Sequence, residues 1–276
     1  MEEEIYAFRK ELQTLGYCQN IISNYPKYIS HFLVFAQQTA PKINDSHIKS
    51  YQKYLQQKPN KTNGKKLSES YVHSQLLAIK MYFEYLERIH KIKRNPFVLK
   101  LKNPRNEEKK VLTQQQVKIL YQHCRTREEK MILHLCYGCG LRRSEAVNLN
   151  KSDIDIEKKL LFVRQGKGKK RRVIPINETL TADFKLFLQN KINTVEIAFL
   201  TNKQNGRMSG NTMHLIFKTL LKKAKIKDVS LHHLRHSIAT HLLENDMSIE
   251  MVRDFLGHSQ LSTTQIYTKI NSLKMK

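Results

Sequence analysis

Apolar residues recur at helical spacing through most of the first hundred positions. This period predicts four helices, over residues 5–15, 21–35, 43–55 and 68–90. Gly16 is a typical stop for the first helix, and Asn44 or Asp45 is a suitable start for the third. A basic loop rich in turn-forming residues, 58–66, separates the third helix from the fourth. The pattern is typical of a small helical bundle.

The remainder of the chain mixes helices with two short strands. Residues 160–164 and 172–176 flank a basic, glycine-containing turn, 165–171, and this arrangement predicts a β-hairpin. Helical periodicity predicts further helices at 113–124, 128–140, from Ser144, and at 178–190, 210–224, 231–245, 248–256 and 262–270. The predicted fold class is therefore mainly α with a small β-hairpin or sheet (α+β).

A polar, proline-containing segment at residues 94–111 separates these two parts and is typical of a linker. It predicts a domain boundary near residue 105, with one domain at 1–104 and another at 105–276. A chain of 276 residues has the length of one large domain or two smaller ones. At this length a hydrophobic core forms without a disulfide or a structural metal.

The charge of the chain indicates a polyanionic partner. It carries 49 Lys and Arg against 24 Asp and Glu, a net charge of +25. The excess is spread along the whole chain, at +9 over residues 1–103 and +16 over residues 104–276. This footprint is most simply explained by nucleic acid, and a generally basic soluble protein is the alternative.

Membrane and secreted classes of protein are not expected. The longest apolar runs, such as Phe32–Ala36, contain about five residues, whereas a transmembrane helix needs roughly 20. The acidic start, Met1–Glu4, does not resemble a signal peptide. Four cysteines are too few for a secreted disulfide framework, so an intracellular protein is expected.

Two motifs in the second part carry candidate functional basic residues, Arg142 and Lys167. Arg142 lies at a predicted turn-to-helix junction, and Glu145 three residues later shares its helical face; a simple surface ion pair is the alternative. Lys167 lies at the hairpin turn, where it either reaches into a DNA groove or belongs to a solvated charged run. The phosphate-binding loop pattern of nucleotide hydrolases is absent here.

The histidines and cysteines do not form a convincing metal site. His232, His233 and His236 share a predicted helix, but no Cys or carboxylate cluster accompanies them at ligand spacing. Cys136 and Cys139 lack a second pair and lie in an apolar helix end, where Cys packs as a small hydrophobic residue.

Three more positions complete a series of candidate catalytic residues. Arg235 lies three residues after His232, so the two point the same way from one predicted helix. His258 follows a predicted helix end, and Tyr267 lies nine residues later on a short predicted helix. Taken alone, Tyr267 is more typical of a partly buried core residue than of a nucleophile.

In this order, the motifs resemble the active-site series of the tyrosine recombinases, the phage integrase family. The matching strings are Gly140-Leu141-Arg142-x-Ser144-Glu145, Leu234-Arg235-His236, Leu256-Gly257-His258-Ser259 and Ser262–Thr268, and they look most like those of the Xer branch. The resemblance is close over residues 110–270. It implies a C-shaped, two-domain clamp on DNA, with a SAM-like core-binding domain at 1–104 and a catalytic domain at 105–276.

The resemblance implies strand cleavage by a tyrosine, through a covalent 3′-phosphotyrosine that leaves a free 5′-hydroxyl. The implied nucleophile is Tyr267, and Arg142, Arg235 and His258 would stabilise the phosphorane. Lys167 would be the general acid, and His232 would be the proton acceptor or a hydrogen-bond partner near the nucleophile. Glu145 would orient Arg142. Two arginines and a lysine supply the positive charge, so no metal ion is expected as a cofactor. The covalent intermediate keeps the energy of the broken bond, so ATP is not expected either.

The expected partner is a double-stranded DNA core site, held by a homo-tetramer or by a hetero-tetramer with a second recombinase. No membrane partner is expected, and the protein is expected to be cytoplasmic and nucleoid-associated. The basic residues expected to contact DNA phosphates are Lys61, Lys65, Lys66, Lys169, Lys170, Arg171 and Arg172.

Two other functions remain open from the sequence: a type IB topoisomerase-like relaxase, and a non-catalytic DNA-binding or architectural protein. Nine residues follow Tyr267, a shorter tail than is usual in Xer-like relatives, which weakens the expectation that the tail packs into a neighbouring protomer. An additional arm-binding domain before the helical bundle is not expected.

Overall fold

The computed structural model describes residues 2–60, 64–103, 110–164, 171–189 and 197–257. The chain divides into two compact units, residues 1–107 and residues 108–276. Helices predominate in both units, and a three-stranded antiparallel sheet lies in the second. The predicted class, mainly α with a small sheet, is confirmed.

The described residues of the N-terminal unit form four α-helices where the apolar period predicts them. They are α1 (Glu2–Thr14), α2 (Gln19–Ala36), α3 (Asp45–Gln57) and α4 (Glu69–Arg88), with a 3₁₀ turn at Ala40–Lys42. Their apolar faces share one core, in which Phe32, Tyr82 and Phe83 are fully buried. The buried hydroxyl of Tyr51 donates to the Gln75 side chain at 2.9 Å, which satisfies a polar group inside that core.

Local capping explains where these helices begin and end. Asn44 accepts a hydrogen bond from the His47 backbone N–H, and the His47 ring accepts one from the Asn44 N–H, which closes the start of α3. The Ser68 hydroxyl accepts from the backbone N–H of Tyr71 and begins α4. Gly16 follows α1 with φ of +72°, a left-handed conformation suited to a helix end, as predicted.

The C-terminal unit begins with helices that lead to the candidate site. They are α5 (Gln114–Gln122), α6 (Arg127–Leu133), a π-helical turn at His134–Gly138, and α7 (Arg143–Asn148). Thr113 caps α5 as predicted, because its hydroxyl accepts from the backbone N–H of Gln116 at 3.1 Å. The π-helical turn ends at a short loop whose Gly140 has φ of +58°, a conformation that favours glycine.

The sheet contains β1 (Ile154–Asp155), β2 (Leu160–Val163) and β3 (Arg172–Pro175), in that spatial order and with antiparallel neighbours. Strands β2 and β3 form the predicted hairpin, with Leu161 paired to Ile174. Ile154 pairs with Leu161 from the other side, and all three side chains are buried. Strand β1 was not predicted, because two residues are too few to show an alternating pattern.

Four helices complete the described part of this unit: α8 (Glu178–Gln189), α9 (Gly210–Lys223), α10 (Leu231–Glu244) and α11 (Ile249–Leu256). Val252 and Leu256 of α11 pack on Ala239 of α10 in a small cluster beside the main core. The helix predicted at 262–270 lies outside the described residues. Within the described ranges, no helix is both long and apolar enough to cross a bilayer.

Candidate active site

Arg142 and Glu145 form a tightly connected pair at the start of α7. Arg142 precedes the first helical residue with an extended backbone, φ −69° and ψ 152°. The Glu145 carboxylate accepts from the backbone N–H of Arg142 at 2.9 Å and from its Nη1 at 2.7 Å. The two residues therefore share one face, as their spacing predicts, and the pair is partly buried rather than a surface ion pair.

Glu145 is buried, with 2 % of its side chain exposed, and three arginines surround it. Arg172 donates from Nη1 and Nη2 to its two oxygens at 3.2 and 2.8 Å, and Nη1 of Arg235 lies 3.7 Å from Oε2. Burial alone would raise the pKa of the Glu145 carboxyl, but the hydrogen bonds and charge of Arg172, with the hydrogen bonds of Arg142, lower it to about 2. The group is therefore a fixed anion at neutral pH.

Helix α10 contributes Arg235 and His232. The Arg235 guanidinium is 1 % exposed and donates from Nη1 to the carbonyl of Gly140 and from Nη2 to that of Leu256. His232 is exposed one turn earlier on the same helix, and its ring packs edge-on against His236 with centroids 4.2 Å apart. Their burial thus differs sharply: Arg235 is enclosed by the core, whereas His232 remains accessible to a ligand.

The last turn of α11 is where the three guanidiniums meet. The carbonyls of Phe255, Leu256 and Gly257 accept, in turn, from Nε of Arg172 at 3.0 Å, Nη2 of Arg235 at 2.5 Å and Nη2 of Arg142 at 3.4 Å. The C-terminal end of a helix carries partial negative charge, so cations are stabilised there. Gly257 ends the helix with φ of +65°, and the next residue in the chain is His258.

Several predicted site residues lie outside the described part of the chain. They are Lys61, Lys167, Lys169, Lys170, His258 and Tyr267. The structure does describe residues close in sequence to Lys167 and His258. In the sequence, Lys167 lies between β2 and β3, and Gly257 at the end of α11 directly precedes His258.

Arg172 differs from the prediction that it contacts DNA phosphate. Its side chain is 8 % exposed, and its guanidinium is engaged with Glu145 and the Phe255 carbonyl. Its neighbour Arg171 is exposed, as are Lys65 and Lys66, so these three are accessible to a phosphate backbone. The burial of Arg172 was not predictable from the sequence, because a run of basic residues does not indicate which of its side chains point into the core and which face solvent.

The N-terminal unit contains a pocket with a volume of about 990 Å³ beside the basic loop. Phe35 and Tyr54 line it with their rings stacked at a centroid distance of 4.8 Å, and the Lys58 ammonium lies 4.9 Å from the Tyr54 ring centre. Lys65 and Lys66 line the same pocket. Lys65 and Lys66 were predicted from the sequence as DNA contacts, whereas Phe35 and Tyr54 were not.

The cysteines and histidines of the described ranges do not form a cluster with the spacing of a metal centre. Cys136 and Cys139 are fully buried in the core, as predicted for small hydrophobic residues, and burial raises the pKa of Cys136 to about 12. Over the ranges that the structure covers, no group of three or more His, Cys, Asp and Glu side chains is placed to hold a metal ion.

Comparison with known proteins identifies the family. The model of the phage integrase family matches residues 110–273, which is more than half of the chain. The chain belongs to the phage integrase family. Within that family it is a tyrosine recombinase of the Xer-like branch, because its curated relatives include tyrosine recombinases XerA, XerC and XerD.

Two relatives show the extent of the match. Tyrosine recombinase XerA of Pyrococcus horikoshii is 40% identical over 181 residues, which cover 64% of this recombinase and 63% of that protein, slightly less than two thirds of its length. Tyrosine recombinase XerA of Pyrococcus furiosus is 33% identical over 280 residues, which cover 99% of this chain and 92% of that protein. The second match thus includes the N-terminal unit as well.

The fold of this recombinase is that of a solved integrase. A lambda integrase dimer bound to a COC′ core site matches with a TM-score of 0.74, over 95% of this chain and 96% of that chain, at 17% sequence identity. A likeness at that identity establishes the shared fold.

Proposed function

We propose that this tyrosine recombinase is a site-specific enzyme that cleaves and rejoins DNA strands through a covalent 3′-phosphotyrosine at Tyr267. The observation that carries the proposal is the convergence of Arg142 and Arg235, from separate elements, on the last turn of α11. Both guanidiniums contact Glu145. Together they supply positive charge of the kind that stabilises the negative charge of a phosphodiester in its transition state.

Stabilising the phosphorane is the role we propose for Arg142, Arg235 and His258. The pentavalent transition state carries extra negative charge on its non-bridging oxygens. The partly exposed Arg142 guanidinium can donate N–H groups to those oxygens, whereas Arg235, which is 1 % exposed and donates to two carbonyls, is proposed to stabilise them through its charge. The buried anion of Glu145 and the helix-end carbonyls hold both guanidiniums before substrate arrives, so little reorganisation is needed during the reaction.

The proton transfers are assigned to Lys167 and His232. Tyr267 attacks phosphorus with its phenolic oxygen, and the bond from phosphorus to the 5′-oxygen breaks. We propose that His232, exposed on α10, takes or orders the tyrosine proton, and that Lys167 gives a proton to the leaving 5′-oxygen. The partner strand's 5′-hydroxyl reverses both steps, so the bond energy is conserved, and neither ATP nor a metal ion is required.

Lys167→Ala tests the assignment of the general acid. We expect the rate of strand cleavage to fall by at least about 10²-fold, because loss of a general acid typically lowers the rate by this much. DNA binding should be nearly unchanged. On a substrate with sulfur at the bridging 5′ position, the defect should shrink sharply, because a thiolate leaves without a proton. The measurement is the single-turnover cleavage rate on matched oxygen and sulfur substrates.

Arg171→Ala is the matched control, because Arg171 is an exposed cation at the foot of the same hairpin. It should weaken binding and lower the salt slope by about one unit, with equal cleavage rates at saturation on both substrates. If sulfur fails to rescue Lys167→Ala, Lys167 is a phosphate contact and Lys169 becomes the candidate acid.

DNA recognition is proposed to involve both units, with the core-binding domain at 1–104 and the catalytic domain at 105–276. The lambda integrase structure of the same fold is bound to a core site, and the charge of +25 supports a duplex partner here. Lys65 and Lys66 with Arg171 are exposed in the structure, and Lys61, Lys169 and Lys170 are proposed as further phosphate contacts. A tetramer on synapsed DNA, at the nucleoid, is the proposed working state.

A two-site exchange assay tests the proposed function. Wild-type protein should recombine two core sites and should leave a covalent protein–DNA adduct on a nicked substrate, both in excess EDTA. Relaxation of supercoils without exchange would indicate a topoisomerase-like relaxase. Binding without any adduct would indicate a non-catalytic DNA-binding protein.

A further inference from the structure

Arg172 joins three elements of the catalytic unit. It is the first residue of β3, directly after the hairpin segment that carries Lys167. Its Nε donates to the Phe255 carbonyl at the end of α11 at 3.0 Å, and both terminal nitrogens donate to the Glu145 carboxylate on α7. One guanidinium therefore bonds to two separate helices at once.

The packing around Arg172 is as close as its hydrogen bonding. A Cβ atom built on Gly257 would lie 2.9 Å from Cδ of Arg172 and 3.1 Å from its Nη1, and Gly257 has φ of +65°. The backbone at the end of α11 thus rests directly on the arginine side chain, an approach that glycine permits and a larger residue would block. Movement of Arg172 would carry this turn with it.

Glu145 connects this contact to Arg142. Its carboxylate accepts from Arg172 on one side and from the backbone and side chain of Arg142 on the other. A buried carboxylate that loses one of its cationic partners is strongly destabilised, and it then moves, admits water or takes a proton. Each of those responses alters the hydrogen bonds that orient Arg142.

We propose that Arg172 is a positioning residue, which fixes Glu145 and the end of α11 against the base of the hairpin and so sets the geometry of Arg142. The elements that it ties together also lead directly to Lys167 and to His258. Lysine does not replace it, because one ammonium does not span the carboxylate and the carbonyl with the same fork. The proposal rests on the proposed function, since it concerns the same strand-cleavage reaction.

Arg172→Met tests the proposal, because methionine keeps much of the side-chain volume and removes the donors. The single-turnover cleavage rate at saturating protein should fall by roughly 10- to 100-fold, because displacement of catalytic groups typically lowers rates by this much. DNA affinity should stay within about twofold of wild type. Arg172→Lys should recover part of the rate. Thermal unfolding of each variant checks that it is folded at the assay temperature.

The pH profile supplies a readout that a merely structural role would not produce. Among the described residues, the charged and titratable groups facing Glu145 are Arg142, Arg172 and Arg235, with Cys136 on the π-helical turn. Without Arg172, burial raises the pKa of Glu145, so the carboxyl takes a proton at a higher pH than in wild type. The cleavage rate of Arg172→Met relative to wild type should therefore decline further as pH falls.

Glu145→Gln removes the titrating group, so Arg172→Met in that background should show no such decline. Arg207→Met is the matched control for loss of a structural arginine in the same unit. Arg207 donates to the Val147 and Leu149 carbonyls and to the Asn150 side chain. It should lower stability without changing the pH dependence of cleavage.

The outcomes separate this proposal from the function on which it rests. An inert wild type would overturn both. An active wild type with an unchanged rate for Arg172→Met, or a loss accompanied by an equal loss of DNA affinity, would overturn the positioning role alone. The same pH-dependent decline in Arg207→Met would also overturn it.

Discussion

Tyr267→Phe should bind the DNA core site with wild-type affinity and should form no covalent complex with it. The substitution removes one oxygen atom, which in the proposed reaction is the atom that bonds to phosphorus. A phenyl ring has no nucleophile to replace it, so the expected loss is complete within the detection limit of a covalent-trapping gel with a nicked substrate.

Tyr137→Phe is the control for loss of a tyrosine hydroxyl in the same unit. The Tyr137 hydroxyl and the His241 Nδ1 form a hydrogen bond of 2.8 Å, so its removal should cost about 1 kcal/mol of stability. Covalent trapping should be retained in this variant. Undiminished trapping in Tyr267→Phe would show that another residue is the nucleophile.

Arg142→Lys should slow strand cleavage by about 10²–10³ and leave DNA affinity nearly unchanged. Lysine preserves the charge but offers no planar fork, so it cannot keep Glu145, the Gly257 carbonyl and a non-bridging phosphate oxygen within reach together. A neutral methylphosphonate at the scissile position reduces the charge to be stabilised, and the penalty should shrink on that substrate.

Arg143→Lys provides the comparison, because Arg143 is the next residue and is exposed. It should retain the wild-type cleavage rate at saturating protein. Because both substitutions keep the positive charge, equal losses in the two variants would mean that the effect is not specific to the geometry of Arg142. A loss for Arg142→Lys that appears only in DNA affinity would make Arg142 a binding residue.

The helices were largely predictable because their signals are local. Apolar residues at helical spacing specify a buried face, and caps such as Thr113 and Asn44 act within one turn of the residues they cap. The β-hairpin was predictable for the same reason, because two short strands flank a basic turn. Strand β1 was missed, because its two residues are recognisable only through their pairing with β2.

The candidate site was predictable as an ordered set of residue types, but its internal contacts were not. Glu145 was expected to orient Arg142, and the structure places its carboxylate on that side chain. Arg172 was assigned to DNA phosphate because it ends a run of cations. Its burial depends on contacts with residues 27 and 83 positions away, which no local pattern encodes.

The sequence by itself determined the helical elements and the strand pair, because each depends on neighbours within a few positions. It also determined the order of residues that marks the family, because that order is visible along the chain without any folding. The tertiary structure alone decided which cations are enclosed and which face solvent. Arg142, Arg172 and Arg235 become one unit only when α7, β3, α10 and α11 pack together. A buried carboxylate and three helix-end carbonyls then stabilise guanidiniums that would otherwise repel one another.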